Sequence, residues 1–479
     1  MVHIFMAESE NKKWKVFLLV ASGVFMSTLD SSIVNIALPF IMEDLNAPFE
    51  TVQWVVLIYL LTVSSLLLTF GRLSDIMGRR VIYCLGFLTF SIGSLLCSLA
   101  FQPWFLIFSR AVQGCGAAML MACSPALVVD IFPRDERGKA LGMVGTIVAA
   151  GLSAGPMAGG VLLDFLSWRF IFIINIPIGL ISAFLGMSML KGTHADKGNN
   201  EPLDIRGGIF LAAALFCLIL AVTQLDTWGV VSMKTMGAFC FFLMAGTGFV
   251  LAELKTPYPL FDAMLLRIRL FSVSLISAGI LFAALFFIVF LMPFYLTSPR
   301  GFSASATGGI MVVPFVVLFF VSPVSGILYD RFGASRGLCT FGMALLAGSL
   351  FSFTRIDAMT PVYIVLFQLA LAGTGTAFFI SPNSSAAMGS VSAGRRGIAS
   401  AAVATARNLG MVVGVAVAGL IFSIVFSRLT HGANLKDYTP DMEGAFMAGF
   451  HHAMGTGALI AFIGIFFSYS RGKKDAKEE

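Results

Sequence analysis

The sequence predicts an all-α integral membrane protein with fourteen transmembrane helices. Of its 479 residues, 58% are hydrophobic and only 12% are charged, whereas an ordinary soluble domain carries roughly a quarter charged residues. The charged residues fall in short clusters between long apolar runs. Lipid can accommodate this much apolar surface, and the core of a soluble domain cannot.

The apolar runs, called spans 1 to 14 in chain order, predict the individual helices. Each run is long enough to cross ~30 Å of hydrocarbon at ~1.5 Å per residue. The first is too long for the apolar part of a cleavable signal peptide, so we expect it to stay in the membrane. The predicted spans are residues 16–41, 53–71, 81–100, 104–128, 140–163, 170–190, 208–225, 235–252, 273–296, 305–328, 338–354, 361–387, 397–426 and 446–468.

The basic residues predict the orientation of the spans. If the N-terminus is cytoplasmic, 23 of the 31 Lys and Arg residues lie on the cytoplasmic side, six lie outside, and two (Arg110 and Arg407) lie within spans. Because loops rich in Lys and Arg stay inside, this bias predicts cytoplasmic termini and an even number of crossings. Basic residues in alternate loops do not form the continuous basic face that a nucleic acid requires, so no nucleic-acid partner is expected.

An internal repeat predicts how the spans are grouped. The pattern of Gly71, Asp75 and Gly78 after span 2 recurs at 326–333 after span 10, at an offset of 255 residues. A second pattern precedes spans 5 and 13 at an offset of 259. Parallel repeats with a site between them are common in secondary transporters. The predicted units are an N-terminal six-helix half, a cytoplasmic linker with two inserted helices, and a C-terminal six-helix half, at 1–190, 191–255 and 256–479.

Four stretches of the chain resemble motifs of one transporter superfamily. The loop GRLSDIMGRR at 71–80 resembles the motif between helices 2 and 3 of the major facilitator superfamily. LDSSIVNIALP at 29–39, GLSAGPMAGG at 151–160 and WRFIFINIPIG-like residues at 168–179 are similar to motifs of its fourteen-helix drug:proton antiporter family. The resemblance runs over nearly the whole chain and implies the major facilitator fold.

The same resemblance implies a function. It implies a secondary active transporter, with protons as coupling ion and no cofactor, that exports amphipathic small molecules such as drugs or biocides. It further implies a monomer in the bilayer of a bacterial cytoplasmic membrane. A transporter of one specific metabolite, lipid or siderophore is the alternative, and a membrane-embedded sensor or enzyme is a third interpretation.

Several classes of protein are disfavoured by what the sequence lacks. It contains no GxxxxGK[ST] loop for ATP, so primary pumping is not expected. No nucleophile–base constellation occurs in the spans, so no catalytic residues are expected and the chain is not predicted to be an enzyme. The seven cysteines lie in apolar runs without metal-ligand spacing, and we expect no metal site.

Asp30 is the candidate residue for proton coupling, because it is the only acid well inside a predicted span. A carboxylate at mid-membrane is costly enough to need a reason. Burial favours its neutral form and a nearby cation its charged form, so its proton affinity can change as the cavity opens to either side. Arg110, at similar depth in span 4, is the expected partner. Together with Gln113 it resembles a helix 4 motif that the family links to proton coupling.

Structural alternatives to this coupling role stay open. The carboxylate of Asp30 could form a static ion pair that holds two helices together. Arg110 could instead extend its side chain toward the outer headgroups.

A charge cluster is expected at the inner ends of spans 2 to 4. Asp75 and Arg79 of the loop motif, which also contains Gly71 and Gly78, should meet Asp130 at the end of span 4. Such a cluster can hold the inner side shut and rearrange during transport. The alternative is that the basic residues only set topology. The second copy of the motif, after span 10, predicts a weaker cluster.

The candidate residues of span 5 are mostly glycines. Three of them repeat every four residues and form a face that another helix can approach closely, and a proline among them permits a bend. In the family this helix lies between the two halves and is thought to resist leak, although small-residue packing alone would explain the spacing. The residues are Gly151, Gly155, Pro156, Gly159 and Gly160.

Asn35, Gln113, Asn383 and Arg407 are possible cavity residues. Arg407 lies near mid-depth in span 13, and spans 9 to 14 contain no buried acid. Arg407 could face the cavity toward Asp30, bind an anionic group of the substrate, or be structural. Similar arginines occur at this place across the family, so the residue alone does not indicate anionic substrates. The missing acid also means that the resemblance does not extend to divalent cationic drugs.

Overall fold

The computed structural model describes residues 2–133, 136–190, 204–229, 231–256, 263–392 and 396–471. In this part of the chain, fourteen helical spans are long and apolar enough to cross a membrane, so the predicted all-α fold class and number of spans are confirmed. In chain order the spans are Lys13–Asp44, Phe49–Met77, Arg79–Ser98, Pro103–Ile131, Gly142–Phe165, Phe170–Met189, Ile205–Thr223, Met233–Lys255, Arg269–Thr297, Ala304–Phe332, Ser335–Phe353, Val362–Gly389, Ile398–Leu429 and Pro440–Tyr469.

Two of the spans are interrupted by proline. Span 6 consists of the helices Phe170–Ile173 and Asn175–Met189, and span 10 breaks at Val312. Pro177 and Pro314 follow these breaks. A proline has no N–H to donate to the carbonyl four residues earlier, which weakens the helix at that point. The break in span 6 places Asn175 at a helix start inside the bundle.

The same pairs of spans pack together in the first six and the last six helices. Span 1 packs on span 5 as span 9 does on span 13, and span 3 packs on span 4 as span 11 does on span 12. The crossings of spans 3 with 4 and 11 with 12 depend on glycine, because a Cβ at Gly93, Gly116, Gly342 or Gly375 would meet the facing backbone. The division of the chain into three units stays a prediction, and linker residues 191–203 lie outside the described residues.

Spans 7 and 8 lie at the side of the bundle. Span 7 packs against spans 2 and 13, and span 8 packs mainly against span 7. Span 8 is almost entirely exposed within the protein, as expected for a helix whose other neighbours are lipid. The inserted helices therefore cover the outside of the contact between spans 2 and 13.

The orientation in the membrane stays a prediction. In the following, the outer end of the bundle is the end near Asp44 and Asp164, and the inner end is the end near Asp75 and Asp130. Some of the basic residues counted for the orientation lie outside the described residues: Arg134, Lys191, Lys197, Arg395, Lys473, Lys474 and Lys477.

Candidate functional site

Asp30 and Arg110 form an ion pair inside the first six spans. Arg110 Nη1 donates to Asp30 Oδ2 at 2.5 Å, and the two side chains are 1% and 0% exposed. Arg110 Nε donates to the carbonyl oxygen of Val55 at 3.2 Å. The guanidinium lies over the ring of Tyr59, 4.1 Å from its centroid. The predicted pair is therefore present and joins spans 1, 2 and 4.

The second oxygen of Asp30 is bound by two amides. Gln113 Nε2 donates to Asp30 Oδ1 at 2.8 Å and lies 2.9 Å from Ser94 Oγ. Asn175 Nδ2 donates to the same Asp30 oxygen at 3.3 Å. Gln113 Oε1 in turn accepts a hydrogen bond from Arg110 Nη1 at 2.6 Å. One cation and two neutral donors thus surround a carboxylate that has no contact with solvent.

Sequence reasoning does not single out Asn175, Tyr59 or Ser94 for this site. A neutral polar residue in an apolar span carries no charge that would reveal its partner. For Asn175 the available signal is Pro177, which marks the helix break at which the amide is placed. Asn175 Oδ1 is buried and has no hydrogen-bond donor among the described residues, so the amide retains an acceptor beside the carboxylate.

The predicted inner charge cluster is assembled. Arg79 lies 2.5 Å from Asp130 Oδ2 and 3.1 Å from Asp75 Oδ1. Gly78 separates spans 2 and 3 with a φ of 94°, a value that favours glycine. No atom lies within 4 Å of a Cβ added at Gly71. The three charged side chains are partly exposed and all belong to spans 2 to 4, so in this conformation the cluster does not join the two groups of six spans.

The second copy of the loop motif forms the turn but not the cluster. Gly333 ends span 10 in the left-handed region, with a φ of 59°. Asp330 and Arg331 are exposed, and neither forms an ion pair within the described part of the chain. The repeated sequence therefore corresponds to a repeated turn, whereas the charge network occurs on one side only.

The glycines of span 5 face span 1. A Cβ added at any of these three positions would collide with a side chain of span 1. Ser32 Oγ also donates to the carbonyl oxygen of Gly151 at 3.3 Å. Span 5 therefore lies against span 1 more closely than larger residues would allow. In order, Gly151, Gly155 and Gly159 face Thr28, Ser32 and Ile33.

The opposite side of span 5 contacts span 10. A Cβ at Gly160 would meet the carbonyl oxygen of Ala304, and a Cβ at Gly308 would meet that of Pro156. At the outer end, Asp164 accepts hydrogen bonds from the backbone N–H groups of Ala304 at 2.9 Å and of the next residue at 3.0 Å. Span 5 is thus packed between spans 1 and 10 and joins the two groups of six spans.

The outer end of the bundle is closed. Gln53 Nε2 of span 2 donates to the carbonyl oxygen of Val415 in span 13 at 2.7 Å. Ser423 Oγ donates to Glu50 at 2.6 Å between the same two spans. Phe49 fills the space beside them, with ring centroids 5.2–5.6 Å from those of Phe290, Phe294 and Phe422.

The inner half of span 5 lacks such contacts. No atom lies within 4 Å of a Cβ added at Gly142 or Gly145, and Thr146 is exposed. Close packing at the outer end together with a free inner half of span 5 describes an inward-facing arrangement.

A central cavity lies between spans 1, 5, 9, 10, 12 and 13. Its wall is mainly apolar and includes three phenylalanines, and its polar members are Ser31, Ser32, Asn35 and Thr376. Asn35 Nδ2 donates to the carbonyl oxygen of Ser31 at 2.9 Å. Asn35 Oδ1 is buried without a hydrogen-bond partner among the described residues. The phenylalanines of the wall are Phe282, Phe286 and Phe315.

The four possible cavity residues are placed differently. Asn35 lines the cavity, whereas Gln113 binds Asp30 in the buried network. Asn383 accepts a hydrogen bond from Arg471 and donates to the carbonyl oxygen of Ser274 at 3.3 Å. Neither Gln113 nor Asn383 therefore lines this cavity, because each is engaged by side chains of its own group of spans.

Arg407 lies beside the cavity and apart from Asp30. Its guanidinium is 5.7 Å from the ring centroid of Phe282, a wall residue. The carboxylate of Asp30 is bound by Arg110 instead. Of the options left open by the sequence, pairing of Arg407 with Asp30 is thus absent from this conformation.

Comparison with known proteins gives a consistent result. A model of the Major Facilitator Superfamily matches residues 20–415 and 274–475. The chain is 34% identical over 455 residues to the riboflavin transporter RibZ of Clostridioides difficile (strain 630), covering 95% of this chain and 96% of that relative. It is 32% identical over 425 residues to the multidrug resistance protein Stp of Mycobacterium tuberculosis (strain ATCC 25618 / H37Rv), covering 88% and 77%. A solved D-xylose–proton symporter shares the fold, with a TM-score of 0.65 at 11% identity, covering 96% of this chain and 98% of that chain.

The inward-facing arrangement predicts a difference in thiol reactivity between the two ends. In a variant whose seven native cysteines are replaced by alanine, Thr146→Cys should react rapidly with a water-soluble maleimide, because this position is exposed. Gln53→Cys should react slowly, because Gln53 is buried at the closed outer end. Labelling rates of the purified protein in detergent give the measurement. Equal rates, or faster reaction at position 53, would contradict the inward-facing arrangement.

Proposed function

The chain belongs to the major facilitator superfamily, and we propose that it works as a proton-coupled antiporter that exports amphipathic small molecules. Its relatives are membrane transporters, among them a multidrug resistance protein. The observation that carries the proposal is the fully buried ion pair of Asp30 and Arg110. A carboxylate inside a span is costly, and such residues commonly mark proton pathways.

The contacts of Asp30 support a change of protonation during the cycle. An opposite charge favours the ionised form of a carboxylate, whereas burial favours the protonated form. With Arg110 at 2.5 Å, the inward-facing arrangement matches the state after the proton has left. Opening of the outer end would bring water to Asp30 and separate or screen the pair, so that a proton can bind from outside. A switch of one unit in the pKa corresponds to about 1.4 kcal/mol between the two states.

The amide of Asn175 suits both states of the carboxylate. Its Nδ2 donates to the ionised Asp30 at 3.3 Å. Its Oδ1 has no donor among the described residues, and rotation of the amide would offer this oxygen to a protonated Asp30. Asn175 would then stabilise either protonation state without a change in the backbone.

The direction of transport and the substrate class rest on weaker support than the coupling site. The apolar cavity wall with a few polar groups suits an amphipathic compound. The second candidate function is transport of one specific metabolite, favoured by 34% identity to a riboflavin transporter over 95% of this chain. Riboflavin belongs in any test panel, since uptake or exclusive transport of riboflavin would favour this second function.

Replacement of Asp30 tests the coupling. In everted membrane vesicles with an imposed pH gradient, addition of a transported compound to the wild type should dissipate the gradient, followed with acridine orange. Asp30→Asn removes the titratable group, so the same compound should leave the gradient intact while still shifting the melting temperature of the purified variant. Binding to this variant should not change with pH.

Asp44→Asn is the matched control for this substitution. Asp44 lies on the same span, is 46% exposed and pairs with Arg169 at the outer end, so proton movement should persist. If the Asp30 variant still concentrates the compound against its gradient with proton movement, another group carries the proton.

Replacement of Asp75 tests the inner cluster. If Asp75, Arg79 and Asp130 stabilise the state in which the inner end is closed, Asp75→Asn should abolish turnover and leave binding intact. The cluster would act by biasing two conformations, since none of its members lines the cavity. Asp330→Asn, in the second copy of the motif, is the control and should transport normally. Equal transport by the Asp75 variant at equal expression would reduce these charges to signals for topology.

A further inference from the structure

Arg407 is a buried cation at the edge of the central cavity. It lies on span 13 four residues before Met411, and side chains four residues apart share one face of a helix. Met411 and Phe282 are both wall residues of the cavity. The guanidinium of Arg407 lies 5.7 Å from the ring centroid of Phe282. Two independent contacts therefore place the charge next to the cavity, on its inner side.

This charge has no counter-ion in the described part of the chain. No carboxylate lies within ion-pair distance of Arg407, and its Nε is buried without a hydrogen-bond partner. The other arginine buried in a span, Arg110, has a carboxylate at 2.5 Å. An unpaired buried charge is unfavourable, and contact with one aromatic ring compensates only a part of the cost. Arg407 is thus left with unused binding capacity directed at the cavity edge.

The cavity wall defines the other half of a ligand. Phe282, Phe286 and Phe315 offer a surface for a flat apolar body. The polar wall residues Asn35 and Thr376 are neutral, and no acid lines the cavity. A lipophilic cation would find no opposite charge there and would be repelled by Arg407. An aromatic anion would place its ring among the phenylalanines and its charged group on the guanidinium, where hydrogen bonds are strengthened by the charges.

We propose that Arg407 is the anion-binding end of the substrate cavity, and that the compounds carried are amphipathic aromatic acids rather than lipophilic cations. The proposal rests on the proposed function to the extent that the central cavity is taken as the transport cavity. It does not depend on proton coupling, because it concerns binding at equilibrium. The sequence left the role of Arg407 open; its contact with a wall residue and its missing counter-ion now assign one.

Three probes that share one ring system and differ in charge provide the test. Anthracene-9-carboxylate is the anion, 9-anthracenemethanol the neutral compound and 9-(aminomethyl)anthracene the cation. Binding to the purified wild type is measured by fluorescence in detergent without any gradient. The carboxylate should bind about tenfold or more tightly than the ammonium compound, the size expected for a hydrogen-bonded charge. Equal or tighter binding of the cation, or no binding of the carboxylate up to its solubility limit, would overturn the proposal.

Variants of Arg407 locate the effect. Arg407→Gln should weaken binding of the carboxylate by about tenfold or more and leave the alcohol within about twofold. Arg407→Lys should restore part of the affinity, because it keeps the charge but not the fork of donors. Arg428→Gln, an identical change at an exposed position of the same span, should have no effect. Unchanged binding of the carboxylate to a folded Arg407→Gln protein would overturn the assignment.

The two proposals fail separately. If Asp30→Asn vesicles still move protons, coupling through Asp30 is wrong while the preference for the anion stands. If the wild type prefers the ammonium probe, the role of Arg407 is wrong while proton coupling stands. Should Arg407→Gln not fold, the comparison of the three probes on the wild type still decides.

Discussion

The ion pair of Asp30 and Arg110 is the interaction on which the arrangement of the first six spans depends. Both side chains are removed from solvent, and breaking such a pair by removing one partner typically costs about 3–5 kcal/mol, because a buried charge is left uncompensated. Its remaining hydrogen-bonding capacity must therefore also be met, as Gln113 and Asn175 do. A group held this strictly responds sharply when its surroundings change, and this is the property that a coupling residue needs.

Close packing by glycine sets what can move around this pair. Gly93 and Gly116 allow backbone contact between spans 3 and 4 and so hold the partners of Asp30 in place. Span 5 uses its glycines on two sides, against span 1 and against span 10. To open outward, the protein has to break the contacts of Gln53 with Val415 and of Asp164 with span 10. Closure of the inner end would bring the partly exposed cluster around Arg79 against the other six spans, so the two ends would exchange contacts.

The sequence predicts the elements well and their long-range contacts unevenly. Apolar runs of sufficient length gave all fourteen spans, because the thickness of the bilayer limits the choices. The partner of Asp30 was predictable because charges in spans are few and Arg110 lies at the same depth. By contrast, Asn175 and the contact of Glu50 with Ser423 involve residues that are unremarkable in sequence. Asn383 was expected at the cavity but binds Arg471, which the loop count had treated as a solvated charge. Such contacts depend on how helices rotate and cross, and hydropathy does not encode this.

Proton release on binding tests the central claim most directly. Purified protein is placed in weak buffer with a pH-sensitive dye near neutral pH, and a compound known to be transported is added. If Asp30 exchanges its proton for substrate, the wild type should release protons in proportion to occupancy, and Asp30→Asn should bind the compound and release none. Equal proton release from the wild type and the Asp30→Asn variant at equal occupancy would contradict the role of this carboxylate.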